Sequence, residues 1–337
     1  MPSATLGETS DGVAGFGPAP REASGRFINI AGELERAGPG VTLPFFLRRV
    51  GGAFRAAANP PKRVANDGAW LRENALHSEP SVTWVGHATL LVQMGHLTFL
   101  TDPIWSETPS PVPFLGPRRH VDPGVALEDL PRIDFVLISH NHYDHLDLPT
   151  LEALAQRDPG TRFYVPLANA SLLREAGIEN VEELDWGGVV EHGGVRVICL
   201  PVQHWSARGL GDERRALWSS WAVLSDHRRF YFAGDTGAFP GFGAIGQAYG
   251  PFDLAAVPIG AYEPVAMMQP SHMNPEEALA AGRALRARRL VGMHFGTFDL
   301  TDEPLDEPPR RFRAGGRAAG YSAEDVWVLD IGETRAF

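Results

Sequence analysis

Cysteine and lysine are almost missing from the 337 residues. Cys199 is the single cysteine, so no disulfide can form within the chain, and a metal site would have to use nitrogen and oxygen donors. Lys62 is the single lysine, so all but one of the 30 basic residues are arginine, a bias we read as genomic base composition rather than function. Long apolar runs are lacking as well. None approaches the roughly 20 residues that a bilayer crossing needs, which excludes an integral membrane protein. Positive charge is in deficit: 41 acidic residues against 30 basic ones give a net −11. A protein that grips phosphate backbones carries the opposite balance, so no nucleic-acid partner is expected. The N-terminus has no basic start followed by an apolar stretch, which speaks against a secretory signal and for a cytoplasmic location, with peripheral membrane contact left open.

What is present suits a folded, layered protein. Hydrophobic residues make up 44% and charged residues 21%, enough to bury a large core. The length fits two domains or one large layered one. Residues 1–25 are rich in Gly, Ala, Ser, Pro and Thr, and a disordered or loosely draped tail is expected there. Residues 26–80 form an N-terminal extension of mixed character. Within it Leu43, Phe46, Leu47, Val50 and Phe54 fall at helical spacing, flanked by Arg48, Arg49 and Arg55. Two readings stay open: a face that dips into an anionic membrane interface, or a short helix packed on the main domain or a partner. Residues 81–337 read as the main domain, with two rounds of β-rich runs followed by helices. Runs fall at 82–85, 89–93, 97–101 and 135–139, then at 195–200, 221–224, 230–233, 254–258 and 290–294. A last run at 326–330 is expected to close a sheet. Helical patterns cover 151–157, 168–175 and 275–288, the last capped by Asn274 with Pro275 at its first position and Glu277 completing a capping box. The fold class expected is α/β, with two packed sheets and helices outside.

Histidine is concentrated. Three of the 12 histidines fall within six residues, in Ser139-His140-Asn141-His142-Tyr143-Asp144-His145, directly after the apolar run Phe135-Val136-Leu137-Ile138. A loop leaving a strand end in this way can turn alternate side chains toward one point. His140 and His142 would then serve one divalent ion, and Asp144 and His145 a second; imidazole and carboxylate suit zinc and its first-row neighbours. His204, Asp235 and His294 also stand where β-rich runs end, where binding groups of layered folds often gather.

These residues resemble the metallo-β-lactamase superfamily, whose H-x-H-x-D-H loop, later His, bridging Asp and final His hold two metals. The resemblance implies an αββα sandwich and two Zn²⁺ per chain, with Mn or Fe as alternatives. It places His140, His142 and His204 at the first ion, Asp144, His145 and His294 at the second, and Asp235 between them. Asp102 would orient a ligating imidazole, and His87 would stand near the metals; an ordinary turn histidine is the alternative for the latter. No role is assigned to His77, His96, His120, His192 or His227. Longer blocks, among them Trp84-Val85-Gly86-His87-Ala88-Thr89, Phe232-Ala233-Gly234-Asp235-Thr236-Gly237 and the run from Gly250 to Pro264, are similar to the phospholipase D family that hydrolyses N-acylphosphatidylethanolamine. That similarity spans residues 82–333 and implies a phospholipid substrate, an N-acylethanolamine product and phosphatidic acid. It departs from the pattern at Ser271, where Gln is expected, and is weak around Arg26-Phe27-Ile28-Asn29.

In such an enzyme Asp144 would position the attacking water or take its proton. His272, just ahead of the Asn274-capped helix with its free N–H groups, is the candidate phosphate contact, a plain loop histidine being the alternative. Other classes remain: a metal-dependent lactonase or other ester hydrolase using the same ligands, a nuclease, disfavoured by the charge, or a lipid-binding protein without turnover. The oligomeric state, a homodimer included, is open.

Overall fold

The computed structural model describes residues 7–8, 14–52, 59–112 and 116–337, the side chains of 7–8, 14–15 and 49–52 excepted. A short antiparallel pair, β1 (Gly7–Glu8) with β2 (Ala14–Gly15), precedes helix α1 (Pro39–Gly52) and helix α2 (Ala69–His77). The rest is built on two seven-stranded sheets. The first contains β3 (Ser81–Gly86), β4 (Thr89–Met94), β5 (Leu97–Thr101), β6 (Phe135–Leu137), β7 (Arg162–Pro166) and β8 (Val181–Leu184) in sequential order, with β16 (Thr334–Ala336) added beside β3. The second runs β9 (Val189–His192), β10 (Val195–Leu200), β11 (Ser220–Leu224), β12 (Arg229–Phe232), β13 (Leu254–Pro258), β14 (Arg289–Met293) and β15 (Val326–Trp327).

Both sheets combine antiparallel and parallel pairing. Strands β3, β4 and β5 pair antiparallel and β5 to β8 parallel; β9 to β12 pair antiparallel and β12 to β15 parallel. Strands buried on both faces read as unbroken apolar runs, and β4 shows how the two faces divide. Its Leu90, Val92 and Met94 join the core between the sheets, while Leu91 joins a second core under α2, α3 (Leu148–Arg157) and α4 (Ala170–Glu175). Helices α5 (Phe242–Tyr249), α7 (Pro275–Ala284) and α8 (Glu307–Gly315) cover the second sheet, bringing Ile245, Leu279 and Phe312 into the main core. The expected sandwich with helices outside is present. The alternation of strand directions sends the C-terminal ends of β3, β5 and β6 to one rim, and within the second sheet those of β10, β12, β13 and β14 likewise leave by one rim.

Several boundaries differ from the sequence expectation. Strands β7, β8, β9 and β16 and helices α2, α5, α6 (Val265–Met268) and α8 lie outside the runs expected from the sequence. It is β16, paired antiparallel with β3, that brings the C-terminus back into the first sheet; the run at 326–330 contributes only Val326–Trp327, beside β14. Helix α7 stops at Ala284 rather than at 288. Arg286 turns to φ +58°, and the N–H groups of Arg286 and Ala287 donate to the carbonyls of Arg283 and Gly282. This is a Schellman ending with arginine in the place usually taken by glycine, so Arg288 and Arg289 lie beyond the helix. Arg288 instead pairs with Asp253 at 2.8 Å.

Part of the stretch expected to be a disordered or loosely draped tail is ordered. Residues 16–25 lie on the domain: Ala19 is buried and donates its N–H to Asp185, Arg21 stacks on the ring of buried Phe27, and Glu22 pairs with Arg214 at 2.6 Å. Residues 1–6 and 9–13 lie outside the described residues. The extension also joins the domain further on, with Val64 donating to the Ile331 carbonyl and Asn66 to that of Gly332. Helix α1 buries Phe45 but exposes Leu43, Phe46 and Leu47 by more than half. Those three present most of their surface to solvent; the side chains of Arg49 and Val50, and Phe54 and Arg55, lie outside the described residues.

Candidate metal centre

Loops at the strand ends bring all seven expected ligands together in the interior. The residues after β6 supply His140, His142, Asp144 and His145; Val202-Gln203-His204 follows β10, Asp235 follows β12 and His294 follows β14. His140, His145, His204, Asp235 and His294 are each at most 3% exposed. Four sets of donor atoms converge: Asp102 with His140 and His145, Asp235 with His204 and His272, and two that contain the expected ligand groups, one from His140, His142 and His204 and one from His87, Asp144, His145 and His294. Asp235 stands between these last two, its Oδ2 3.2 Å from His145 Nε2, 3.1 Å from His294 Nε2 and 3.9 Å from His204 Nε2.

The proton positions suit a cation. Asp102 is fully buried and accepts from the backbone N–H of Ser139 at 2.7 Å, the Ser139 hydroxyl at 2.5 Å and His145 Nδ1 at 2.6 Å. A carboxylate only accepts, so His145 keeps a proton on Nδ1 and Nε2 is the nitrogen turned to the centre. The hydroxyl proton of Ser139 is committed to Asp102, so Ser139 Oγ accepts from His140 Nδ1 at 2.8 Å and His140 Nε2 is bare. His204 Nδ1 donates to the Ser271 carbonyl at 3.0 Å, with the same result. Ring nitrogens then face one another: His204 Nε2 is 3.3 Å from His142 Nδ1, and His294 Nε2 is 3.1 Å from His145 Nε2. Two imidazoles on one tetrahedral zinc place their nitrogens roughly 3.3 Å apart, given Zn–N bonds of about 2.0–2.1 Å. In addition, Asp235 Oδ1 is buried without a hydrogen-bond partner, an arrangement that a bound ion satisfies. The residues fit a pair of metal ions.

The electrostatics of the metal-free chain follow from the same packing. Burial lowers the pKa values of His140 and His204 well below the ordinary imidazole value, with neighbouring imidazoles adding to the effect; burial likewise takes His142 to about 4. His145 and His294 go the other way. Burial opposes their charge, but the Asp235 and Asp144 carboxylates outweigh it, raising His145 well above its usual range and His294 to about 9. Burial raises the two acids, yet the surrounding imidazoles win and hold both well below the ordinary carboxylate value.

Three of the ten non-glycine residues with positive φ among the described residues stand at the site. Asp102, His87 and His294 have φ values of +34°, +53° and +61°, conformations that non-glycine residues hold only when the surroundings impose them. Gly234 has φ +59°, and a Cβ there would come within 2.5 Å of the Ser139 Cβ, so glycine is required immediately before Asp235.

Asp102 and His87 are brought to the centre as expected. His87 is buried, its Nε2–H donating to Asp144 Oδ2 at 2.9 Å and its ring 4.1 Å from that of His294. His272 also arrives: Nε2 is 3.4 Å from Asp235 Oδ2, with 14% of its side chain exposed. The expected capping box is present on the helix beside it, and it works against an anion. In α7 the Asn274 side chain accepts from the Glu277 N–H and Glu277 accepts from that of Asn274, while Glu276 and Glu277 occupy the first turn. These bonds and charges leave that terminus poorly suited to an anion, so any phosphate contact there falls to His272 itself. One participant went unnoticed in the sequence. Asn29, buried, donates through Nδ2 to the His204 carbonyl at 2.9 Å, while its Oδ1 accepts from the His204 N–H at 3.1 Å and from the Trp218 indole at 3.0 Å. A polar residue inside Phe-Ile-Asn-Ile was the available signal.

Comparison with known proteins agrees with this centre. Residues 98–295, more than half of the chain, match the model of the Beta-lactamase superfamily domain. The chain belongs to that superfamily. It is 44% identical over 245 residues to N-acyl-phosphatidylethanolamine-hydrolyzing phospholipase D 1 of Caenorhabditis elegans, covering 69% of each chain. It is 30% identical to a metal-dependent hydrolase of Solibacter usitatus, covering 75% of this chain and 97% of that one. Among solved structures, a metallo hydrolase from Ignicoccus hospitalis superposes with a TM-score of 0.59 at 25% identity, over 77% of this chain and 98% of that one. The protein is a metal-dependent hydrolase of the metallo-β-lactamase fold.

Metal binding must displace the protons that Asp144 and Asp235 hold on His145 and His294. Since His294 of the metal-free chain titrates near pH 9, loading near neutral pH should release protons, and apparent affinity should fall as the pH is lowered from about 9. Titration calorimetry in buffers of different ionisation enthalpy reads the proton count. Binding without proton release would contradict this account of the two imidazoles.

Proposed function

We propose that the protein is a two-zinc phosphodiesterase of the phospholipase D type. It hydrolyses N-acylphosphatidylethanolamine-like lipids to N-acylethanolamine and phosphatidic acid. The observation that carries this reading is the full set of seven ligands, converging in two groups with Asp235 between them. The worm relative, named for this hydrolysis, supports the choice of lipid.

Two bound ions would lower the pKa of a water toward neutrality and draw charge from the phosphoryl oxygens. The chain's own residues do the rest. Asp144 Oδ2 lies 3.4 Å from both His145 Nε2 and His294 Nε2, pinned by His87, where it can take the proton of the attacking water. The water oxygen bonds to phosphorus, the phosphorus–oxygen bond to the ethanolamine carbon chain breaks, and the N-acylethanolamine leaves as an alcohol by taking the proton that Asp144 received. His272, whose side chain is partly exposed, donates to a phosphate oxygen. Beside it a cavity of about 370 Å³ lies between the N-terminal extension and the domain, lined by Leu34, Thr42, Trp205, Met267 and Ser271 among others. Its size and mixed lining suit part of a lipid. The exposed Leu43, Phe46 and Leu47 of α1 form the peripheral membrane contact that delivers it. No helix among the described residues is long and apolar enough to cross a membrane.

Incubating the zinc-loaded protein with mixed phospholipids that include N-acylated ones should release N-acylethanolamine and phosphatidic acid, identified by mass spectrometry. Hydrolysis of lactones or carboxylic esters alone would replace the phosphodiesterase reading with an esterase one, and binding without turnover would remove the enzyme. A hydrogen bond to a charged group contributes about 1.5–3 kcal/mol, so His272→Ala should lower kcat/KM by roughly 10- to 150-fold with zinc content unchanged. Lost zinc would instead place His272 among the ligands. Phe46→Ser with Leu47→Ser should depress hydrolysis of vesicles while sparing a short-chain soluble phosphodiester. A parallel loss of both activities would exclude the membrane role.

A further inference from the structure

Four of the metal-site imidazoles direct one nitrogen at the centre and leave the other to be held. His145 is held by Asp102, His140 by Ser139 and His204 by the Ser271 carbonyl. His294 is different: its Nδ1 is buried with no hydrogen-bond partner, and so is Nδ1 of His87 beside it. Both residues line the same small cavity, which has about 20 Å³ of room. A single water needs about 10–15 Å³ and two to four polar partners, so the cavity has space for one and not for two.

Glu303 lines the same cavity and is itself buried. Its Oε1 accepts from the Ala261 N–H at 2.6 Å and from the Thr301 hydroxyl at 2.8 Å; its Oε2 accepts from the Glu263 N–H at 3.1 Å. A carboxylate offers about four acceptor sites, so one remains, on Oε2. The two imidazoles have complementary needs. His294 uses Nε2 toward an ion, which puts its proton on Nδ1 and makes that atom a donor. His87 commits the proton on Nε2 to Asp144 Oδ2, which leaves its Nδ1 an acceptor.

We propose that one ordered water fills this cavity, accepting from His294 Nδ1–H and donating to His87 Nδ1 and to Glu303 Oε2. Glu303 thereby becomes a positioning residue for the last metal ligand, and the water gives His294 the acceptor that Asp102 gives His145. The same water ties His87, and through it Asp144, to the orientation of His294. The inference rests on His294 being a metal ligand.

The test is a crystal structure of the zinc-loaded full chain at a resolution that shows ordered water, together with chelator-competition affinities for wild type, Glu303→Gln and Glu303→Ala. Wild type should show one water within hydrogen-bonding distance of both Nδ1 atoms and of Glu303. Loss of such a supporting partner typically weakens metal binding by 10- to 100-fold. Glu303→Ala should therefore weaken the ion at His294 by about that factor and leave the ion at His140, His142 and His204 unchanged. Glu303→Gln, which keeps an acceptor oxygen, should lose less. No water, a water on only one imidazole, or equal weakening of both ions would overturn the inference while the two-metal reading stands. Zinc absent from His294 in wild type would sink that reading and this inference with it.

Discussion

One carboxylate out of reach of solvent determines how the centre is built. Asp102 follows β5, accepts three hydrogen bonds from residues that follow β6, and so fixes the histidine loop to the end of the neighbouring strand. Burial pushes its pKa up, which His145 and Ser139 oppose by donating to the charged form. The effect passes along the chain of donors. Through Nδ1 of His145 it turns a nitrogen to the centre in one ligand group, and through the Ser139 hydroxyl it bares Nε2 of His140 in the other. Both ligand groups therefore owe the setting of one imidazole to the same side chain, and both would lose it together.

Around that anchor the molecule holds two acids and seven imidazoles in a space from which water is largely excluded. Such a cluster is costly to bury unless the charges answer one another. Here they do: the acids are kept ionised by the imidazoles and two imidazoles are kept protonated by the acids. The backbone contributes as well, because Asp102, His87 and His294 stand in left-handed conformations that only a stiff surrounding fold can enforce. The two sheets supply that stiffness through cores on both faces of their strands.

The main β-strands and the ligands were legible because both are local signals. An apolar run buried on both faces leaves a continuous stretch in the sequence, and His140, His204, Asp235 and His294 each come within a few residues of the end of one. Where the deciding contact is long-range, the sequence is silent. Asn29 acts on His204, and Glu303 acts on Ala261 and Glu263, across separations that no spacing reveals. The ending of α7 was hidden for a different reason: arginine at position 286 takes a conformation normally announced by glycine. At His272 a sequence pattern was read correctly and its consequence was not, since the capping box that identifies the helix also uses up part of its power to attract an anion.

The clasp of Asn29 on His204 sets the boundaries of the catalytic unit. Counted by sheet and ligand, the unit begins at Ser81; counted by what holds a ligand's backbone in place, it begins before residue 29. The extension is thus held at Asn29 and again at Val64 and Asn66, and between them by ion pairs of Arg36 with Glu213 and of Arg48 with Asp302. The stretch between those moorings carries α1 and forms one wall of the cavity near His272. In engineering terms it is a cassette: a segment whose length and lining are open to exchange, provided both ends are kept, so that new preferences for bulky or charged ligands can be grafted without recutting the metal centre.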